Sequence, residues 1–277
     1  MKSSETLTYV IPYILIATFQ YQVAKDGLNY SSPFILMALR YLIASFIIFG
    51  ISRRFRPILN KDMIILSVCT WASSGLWAIG LQFVSPAESA VLSYTMPLFA
   101  IPLAIVIVGE KTSRSGWAGA IVGFAGVMIY AIPLSRNRLT IFGGVLTLVD
   151  AMFWAAYTVY YRKVRRQDPM RTIATQLLLA GSLFLLGAPL GFRLVYSSNL
   201  VFDVAYLALL NGAVLIYLWN ALARLQKISR MSTLVYMIPA TATLFEFAQT
   251  RIIPNILSIL GVGLMLFGIY LSRLEGQ

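Results

Sequence analysis

Apolar stretches of about twenty residues, almost free of charge, follow one another along this chain, and they narrow its fold more than any other feature. A helix needs about 20 such residues to cross the hydrocarbon of a bilayer. Water is absent there, so only structures that close their own backbone hydrogen bonds can span it, namely helices and sealed barrels. Barrels read as short alternating segments, and this chain has long continuous runs instead. The charged fraction of 12% is half the roughly 25% of a soluble domain, and the mean hydropathy is +0.79. The predicted spans are 8–24, 33–52, 62–83, 88–109, 116–134, 141–161, 171–191, 203–223, 232–250 and 256–273. The expected fold is therefore an all-α polytopic membrane protein with ten transmembrane helices and no room for a soluble domain. No small-residue cleavage site follows the first run, which is expected to be a retained helix rather than a signal peptide.

The chain also repeats itself. At an offset of 142, Tyr94 falls on Tyr236, Pro97 on Pro239, Ala100 on Ala242, Gly119 on Gly261 and Gly126 on Gly268. The same offset carries Leu76-Trp77 onto Leu218-Trp219. One unbroken offset through Trp, Tyr, Pro and two Gly marks an internal duplication. The expected units are residues 1–138 and 139–277, five helices each, within one integrated transmembrane domain.

Charge orients them. With the N-terminus inside, sixteen Lys and Arg fall on the cytoplasmic side and five (Lys25, Arg136, Arg138, Arg193 and Arg251) outside, with Arg40 left within a span. Cytoplasmic loops are enriched in Lys and Arg, so both termini are expected in the cytoplasm. Five helices is an odd number, so the second copy must enter the membrane in the opposite sense. The loop after span 2 holds four positives and its counterpart after span 7 holds one; the loop after span 1 holds one and its counterpart after span 6 holds five. Inverted repeats of this kind place a transporter's substrate site near the midplane between them. The net charge of +12 is thus accounted for by loops, and nucleic acid is not an expected partner.

Pro97 through Gly109-Glu110 to Gly119-x6-Gly126-Val127, with an echo from Pro239 to Gly268-Ile269, resembles the EamA-type members of the drug/metabolite transporter superfamily. Ala38-Leu39-Arg40-Tyr41 and an aromatic-rich first span support the likeness, which covers essentially the whole chain. The second copy departs from the pattern where Gly109-Glu110 becomes Arg251-Ile252, which leaves Glu110 as a structural helix-end residue. The resemblance implies ten helices around a central cavity, with spans 5 and 10 peripheral and close-packed. Small residues let membrane helices approach closely, so Gly119, Gly126, Gly261 and Gly268 are expected to be packing residues.

A charge at mid-span costs roughly 2.5–3.5 kcal/mol on insertion scales and must face a partner or a wet cavity. Arg40, Asp150 and Glu246 qualify; Glu88 and Asp203 read as helix starts, where the dipole favours an acid. Asp150 heads a helical stripe through Trp154, Tyr157 and Tyr161. An acid among aromatics suits an ammonium group through charge and cation–π attraction; the alternative is a carboxylate that bonds a neighbouring helix. Glu246 shares a face with Tyr236, Thr243 and Thr250. Arg40 and Glu246 either form an ion pair across the bundle or, facing the cavity, join in receiving a zwitterion such as an amino acid. Polar and aromatic groups on other spans complete the expected binding set: Gln20, Trp77, Tyr94, Tyr236 and Asn220, with Ser73 and Ser74 beside Trp77. Pro97 and Pro239 remove backbone donors mid-helix and are expected to be hinges or to shape the cavity wall.

The chain has no His and one Cys, Cys69. That removes the Ser–His pair of hydrolases and nearly every transition-metal site; no cofactor is expected. No Walker motif or phosphate-cradling loop is present, so ATP is not the fuel. The expected function is a secondary transporter of a small organic metabolite, amino acid or amine-like, in the cytoplasmic membrane, working by alternating access in the export direction. Proton coupling through Asp150 or Glu246 fits, as do uniport and exchange, and the oligomeric state stays open. A facilitative channel is the alternative, and an intramembrane enzyme a weaker one.

Overall fold

The structure, a computed structural model, describes residues 3–53, 56–133, 141–251 and 253–274, without the side chains of residues 3–6, 245–247, 249 and 250. Arg54, Arg136, Arg138 and the Glu246 side chain therefore lie outside the described residues. The described chain is helical, and one isolated bridge between Ser31 and Leu194 is its only strand-like pairing.

Thirteen α-helices follow in order: α1 Ser3–Gly27, α2 Pro33–Ser52, α3 Lys61–Phe83, α4 Pro86–Ser93, α5 Met96–Val108, α6 Arg114–Ala131, α7 Ile141–Lys163, α8 Pro169–Gly187, α9 Ser198–Ala205, α10 Ile216–Leu225, α11 Ile228–Ser232, α12 Met237–Thr250 and α13 Ile256–Arg273. Among the described residues, eight helical stretches are long and apolar enough to cross a membrane. Their outer faces are apolar: Val106 is 82% exposed, Leu186 78% and Phe267 51%. Their inner faces carry buried Thr70, Ser73, Thr147, Asp150, Gln176, Asn211 and Asn220. A water-soluble bundle has the opposite distribution; this one is a multi-pass membrane protein.

Sequence chemistry sets the helix ends. Asn60, Ser113, Asp168 and Asn255 accept hydrogen bonds from the first-turn N–H groups of α3, α6, α8 and α13. Ser85 and Glu88 form a reciprocal capping box on α4, satisfying two orphan donors. Asp203 is a correction: α9 begins five residues earlier, with Ser197 as its cap, so Asp203 is not a helix-start acid. The Lys25 ammonium donates to Leu81 O, Gln82 O and Val84 O at 2.5, 3.2 and 3.0 Å, taking up the free carbonyls that end α3. Gly109 ends α5 in the left-handed region at φ 67°, and Arg251, 142 residues later, ends α12 at φ 58°.

Three predicted spans are not continuous helices. Span 4 breaks at Tyr94-Thr95 into α4 and α5; span 9 opens with α11 and a 3-10 turn, Thr233–Tyr236, before α12. A proline has no N–H for the carbonyl four residues back and clashes with it. Those carbonyls belong to Ser93 and Val235, which sit at the two breaks. Pro97 and Pro239 thus lie in the first turns of α5 and α12 rather than mid-helix, which corrects the expectation. Span 8 contains a ten-residue π-helix, Tyr206–Leu215, a rare form favoured at functional sites. Tyr206 anchors it by donating to Ile16 O of α1 at 2.6 Å.

α6 and α13 pack together at the edge of the bundle. A Cβ on Gly119 would lie 2.5 Å from Gly268 O, and one on Gly126 or Gly261 would lie 2.7 Å from the other's carbonyl oxygen. Gly268→Ala would set its methyl 2.5 Å from Gly123 N, and overpacking of this kind costs about 1–3 kcal/mol. On the same helix Gly263 has nothing within 4 Å, so Gly263→Ala should be neutral or stabilising by up to about 1 kcal/mol. Thermal unfolding of the two variants in detergent should separate them in that order.

Candidate functional site

The geometry around Asp150 follows from helix depth. Asp150 stands nine residues from the start of α7 and thirteen from its end, about 14 and 20 Å at 1.5 Å per residue. It therefore lies near the middle of its span. Facing it are the middles of α1, α2 and α3 and the break between α4 and α5. Together they enclose a cavity of about 80 Å³, to which Leu215, Val235 and Ile238 also contribute.

Asp150 is 6% exposed. Ser73 Oγ donates to its Oδ1 at 2.5 Å and Ser93 Oγ to its Oδ2 at 3.4 Å. Two hydroxyls from different helices thus hold the carboxyl across the cavity floor. Ser93 reaches it because α4 ends there and the chain turns inward before α5.

Arg40 lines the same cavity and is likewise 6% exposed. Its guanidinium packs over the Tyr41 ring at 4.8 Å and the Trp77 ring at 5.6 Å from the centroids. One Nη donates weakly to Met37 Sδ at 3.7 Å, while Nε is buried without a hydrogen-bond partner. No described carboxylate pairs with it. The Asp150 carboxyl acts on it only through space; a buried cation without a contacting counter-ion is costly, and aromatic faces offset only part of that cost. The cavity therefore holds an acid satisfied by two hydroxyls and a cation with unspent hydrogen-bonding capacity.

Aromatic rings form the remaining wall. Tyr21 meets Trp77 and Tyr94 edge-on at 5.7 and 6.3 Å. Gln20 lines the cavity and accepts from Asn211 of the π-helix at 2.8 Å. Trp154 lies in a stack of rings, 4.9 Å from Tyr157 and 6.1 Å from Trp219, and Trp219 stacks on Tyr13 at 5.0 Å. This stack closes the side of the cavity nearer the α7 C-terminus.

The structure brings Gln20, Arg40, Trp77, Tyr94, Asp150 and Trp154 together at one cavity. Three other residues of the expected binding set lie elsewhere. Tyr157 and Asn220 are a layer behind, where the Asn220 amide donates to Tyr157 Oη at 2.7 Å and Gln176 donates to the same oxygen at 3.0 Å. Tyr236 points away: its hydroxyl donates to Ala120 O at 2.8 Å and its ring covers Gly123 of α6. Pro97 is buried outside the cavity wall, whereas Pro239 lines a second cavity of about 140 Å³. Sequence reasoning did not place Tyr21, Tyr41 or Ser93 at the site. Ser93 had one usable signal, its position four residues before Pro97, where a helix must break.

The second cavity adjoins the first through Tyr21, Tyr94 and Ile238 and continues past Gln22, Pro86 and Tyr130. At the opposite end Glu110 joins three loops. Its Oε2 pairs with Arg162 Nε at 3.4 Å and its Oε1 accepts from Ile228 N at 2.5 Å. Arg162 also donates to Ala223 O and Gln226 O at 2.6 and 2.5 Å. Glu110 is thus more than a helix-end residue, because it bonds both the α7 terminus and the start of α11.

Comparison with known proteins agrees with this architecture. A transporter described as lying in the sor 3' region of Acidianus ambivalens is 41% identical over 86% of this chain and 93% of its own. A probable amino-acid metabolite efflux pump of Salmonella typhimurium is 22% identical over 94% of this chain and 91% of its own. A solved crystal structure at 19% identity matches with a TM-score of 0.83 over 99% of this chain and 98% of that one, a likeness of fold alone. The model of the EamA-like transporter family matches residues 6–132 and again 141–274. The chain belongs to the EamA-like transporter family, within the drug/metabolite transporter superfamily, and is a membrane transporter.

Proposed function

We propose that this transporter carries a small zwitterionic metabolite of the amino-acid type outward across the cytoplasmic membrane by alternating access. The observation that carries the reading is one mid-depth cavity lined by both Asp150 and Arg40, with no carboxylate among the described residues in ion-pair contact with Arg40. A substrate carboxylate would supply Arg40 with its counter-ion, through charge-assisted hydrogen bonds. Its ammonium would sit at Asp150, among the aromatic rings that line the cavity. The name of the Salmonella relative supports the amino-acid class. Proton coupling belongs to this proposal: Asp150 would release a proton to the side from which the substrate enters and take the ammonium group in its place.

The architecture proposed is ten transmembrane helices in two inverted repeats, 1–138 and 139–277, with both termini cytoplasmic. Two matches of one family model, one per half, support the duplication, as do the helix breaks before Pro97 and Pro239. In this count α6 and the α11–α12 segment complete the eight apolar stretches. On that orientation the second cavity leads outside, while the ring stack and the Glu110–Arg162–Ile228 junction close the cytoplasmic end. The conformation is outward-facing, and the junction is the inner gate.

Thermal stabilisation of reconstituted protein by a panel of amino acids, amines and nucleotide conjugates tests the substrate class. An amino acid should stabilise, and Asp150→Asn or Arg40→Gln should each weaken its binding about 10- to 100-fold, the worth of one charge-assisted interaction. An amino acid that binds Arg40→Gln as well as the wild type would remove the zwitterion reading.

Glu110→Gln tests the gate. The amide keeps an acceptor for Ile228 N and removes the charge facing Arg162, a loss of about 1 kcal/mol that shifts a two-state population roughly fivefold. In a Cys69→Ala background carrying Ser74→Cys, an impermeant thiol reagent should label the cavity from outside. Adding Glu110→Gln should raise labelling from the cytoplasmic face by that factor, and unchanged labelling would exclude the junction as a gate.

A further inference from the structure

A third, larger concavity flanks the Glu110–Arg162 junction, apart from the central cavity. It is a cleft of about 540 Å³ bounded by Ile107 and Val108 at the end of α5 and by Arg162, Lys163, Arg165 and Arg166 where α7 ends, with Glu110 at its back. Glu110 is occupied by Arg162 and Ile228 N. Lys163, Arg165 and Arg166 are exposed, and no carboxylate pairs with any of them among the described residues. Lys163 lies over the Tyr160 ring at 5.3 Å. One acid already engaged and three free cations give the cleft a net positive face.

Depth and apolarity decide what such a face meets. α7 has 23 residues, about 35 Å of helix, against a hydrocarbon thickness of about 30 Å. Residues 163–166 therefore stand at headgroup level. The other wall is apolar and continues onto the lipid-facing side of α5, where Ile105 is 44% and Val106 82% exposed. A soluble anion would use the cations and leave that wall unmatched. A phospholipid uses both, because its phosphate meets the cations while its chains run along α5. Basic clefts between helices at this depth suit anionic headgroups.

We propose that this cleft is a binding site for an anionic phospholipid, with Lys163, Arg165 and Arg166 holding the headgroup phosphate and the Ile107/Val108 end of α5 receiving an acyl chain. The site is independent of the substrate assignment, since none of its three free cations reaches the central cavity.

Native mass spectrometry of the detergent-solubilised protein, titrated with phosphatidylglycerol or phosphatidylcholine, tests it. The wild type should retain phosphatidylglycerol in preference. The triple variant Lys163→Gln/Arg165→Gln/Arg166→Gln should lower that affinity on the order of 100-fold, at about one kcal/mol per cation. A control that removes three charges elsewhere, Arg53→Gln/Arg56→Gln/Lys61→Gln, should keep it. Equal loss in both variants would show charge attraction without a site and overturn the proposal. So would a wild type that does not distinguish the two lipids. Displacement of the lipid by equimolar glycerol 3-phosphate would assign the cleft to a free phosphate instead.

Discussion

Hydrocarbon offers no partner to an amide, a hydroxyl or a charge, and the rest of this structure depends on that constraint. It forces the backbone into helices and turns the polar side chains inward. Thr70, Ser67 and Thr147 return their hydroxyls to the carbonyl one turn back, and larger groups pair across helices, as Tyr157 does with Asn220 and Gln176. Several buried atoms keep unused bonding capacity, Gln176 Oε1 and Asn211 Oδ1 among them, but of those in the described residues only Arg40 Nε belongs to a residue that lines the central cavity. Its burial, with no described carboxylate in contact, suits the substrate role proposed for that cavity.

Irregular backbone occurs where that cavity needs it. The α4–α5 break contributes Ser93, Tyr94 and Met96; the 3-10 segment and the start of α12 contribute Val235 and Ile238; the π-helix contributes Leu215 and, through Asn211, orients Gln20. Broken helices in membranes are tolerated where they line cavities and leave polar groups with partners. Here local hydroxyls help, as when Thr95 Oγ1 donates to Leu92 O at 2.7 Å. The proline ring ends the helix, the freed residues face inward, and Asp150 gains Ser93 as a donor.

The glycine-rich crossing of α6 and α13 shows how one residue redirects another. Tyr94 and Tyr236 are partners at the 142-residue offset, yet Tyr94 lines the cavity and Tyr236 is fully buried against α6. Gly123 leaves a slot that the Tyr236 ring fills, with Ala120 O as the hydroxyl's acceptor. The counterpart of Gly123 is Met265, itself fully buried, so no equivalent slot is open to Tyr94. A duplicated sequence therefore does not imply a duplicated site.

From the sequence alone came the membrane class, the positions of eight of the ten expected apolar spans and the family. Each rests on local chemistry: transfer energy summed along one helix, proline and glycine spacing, and motif order. Asp150 and Arg40 were legible for the same reason, because a charge in mid-span is costly wherever the helix goes. Which polar groups share a cavity was decided by tertiary structure. Facing directions of helices far apart in sequence set that, through contacts such as Ser73 and Ser93 on Asp150, 77 and 57 residues apart. Tyr157 and Asn220 lay on the expected helices but a layer too deep. Glu110 illustrates the same limit: spacing marked it as the residue after a helix cap, and only the folded chain set Arg162 and Ile228 beside it, because loops 52 and 118 residues away converge at that end of the bundle.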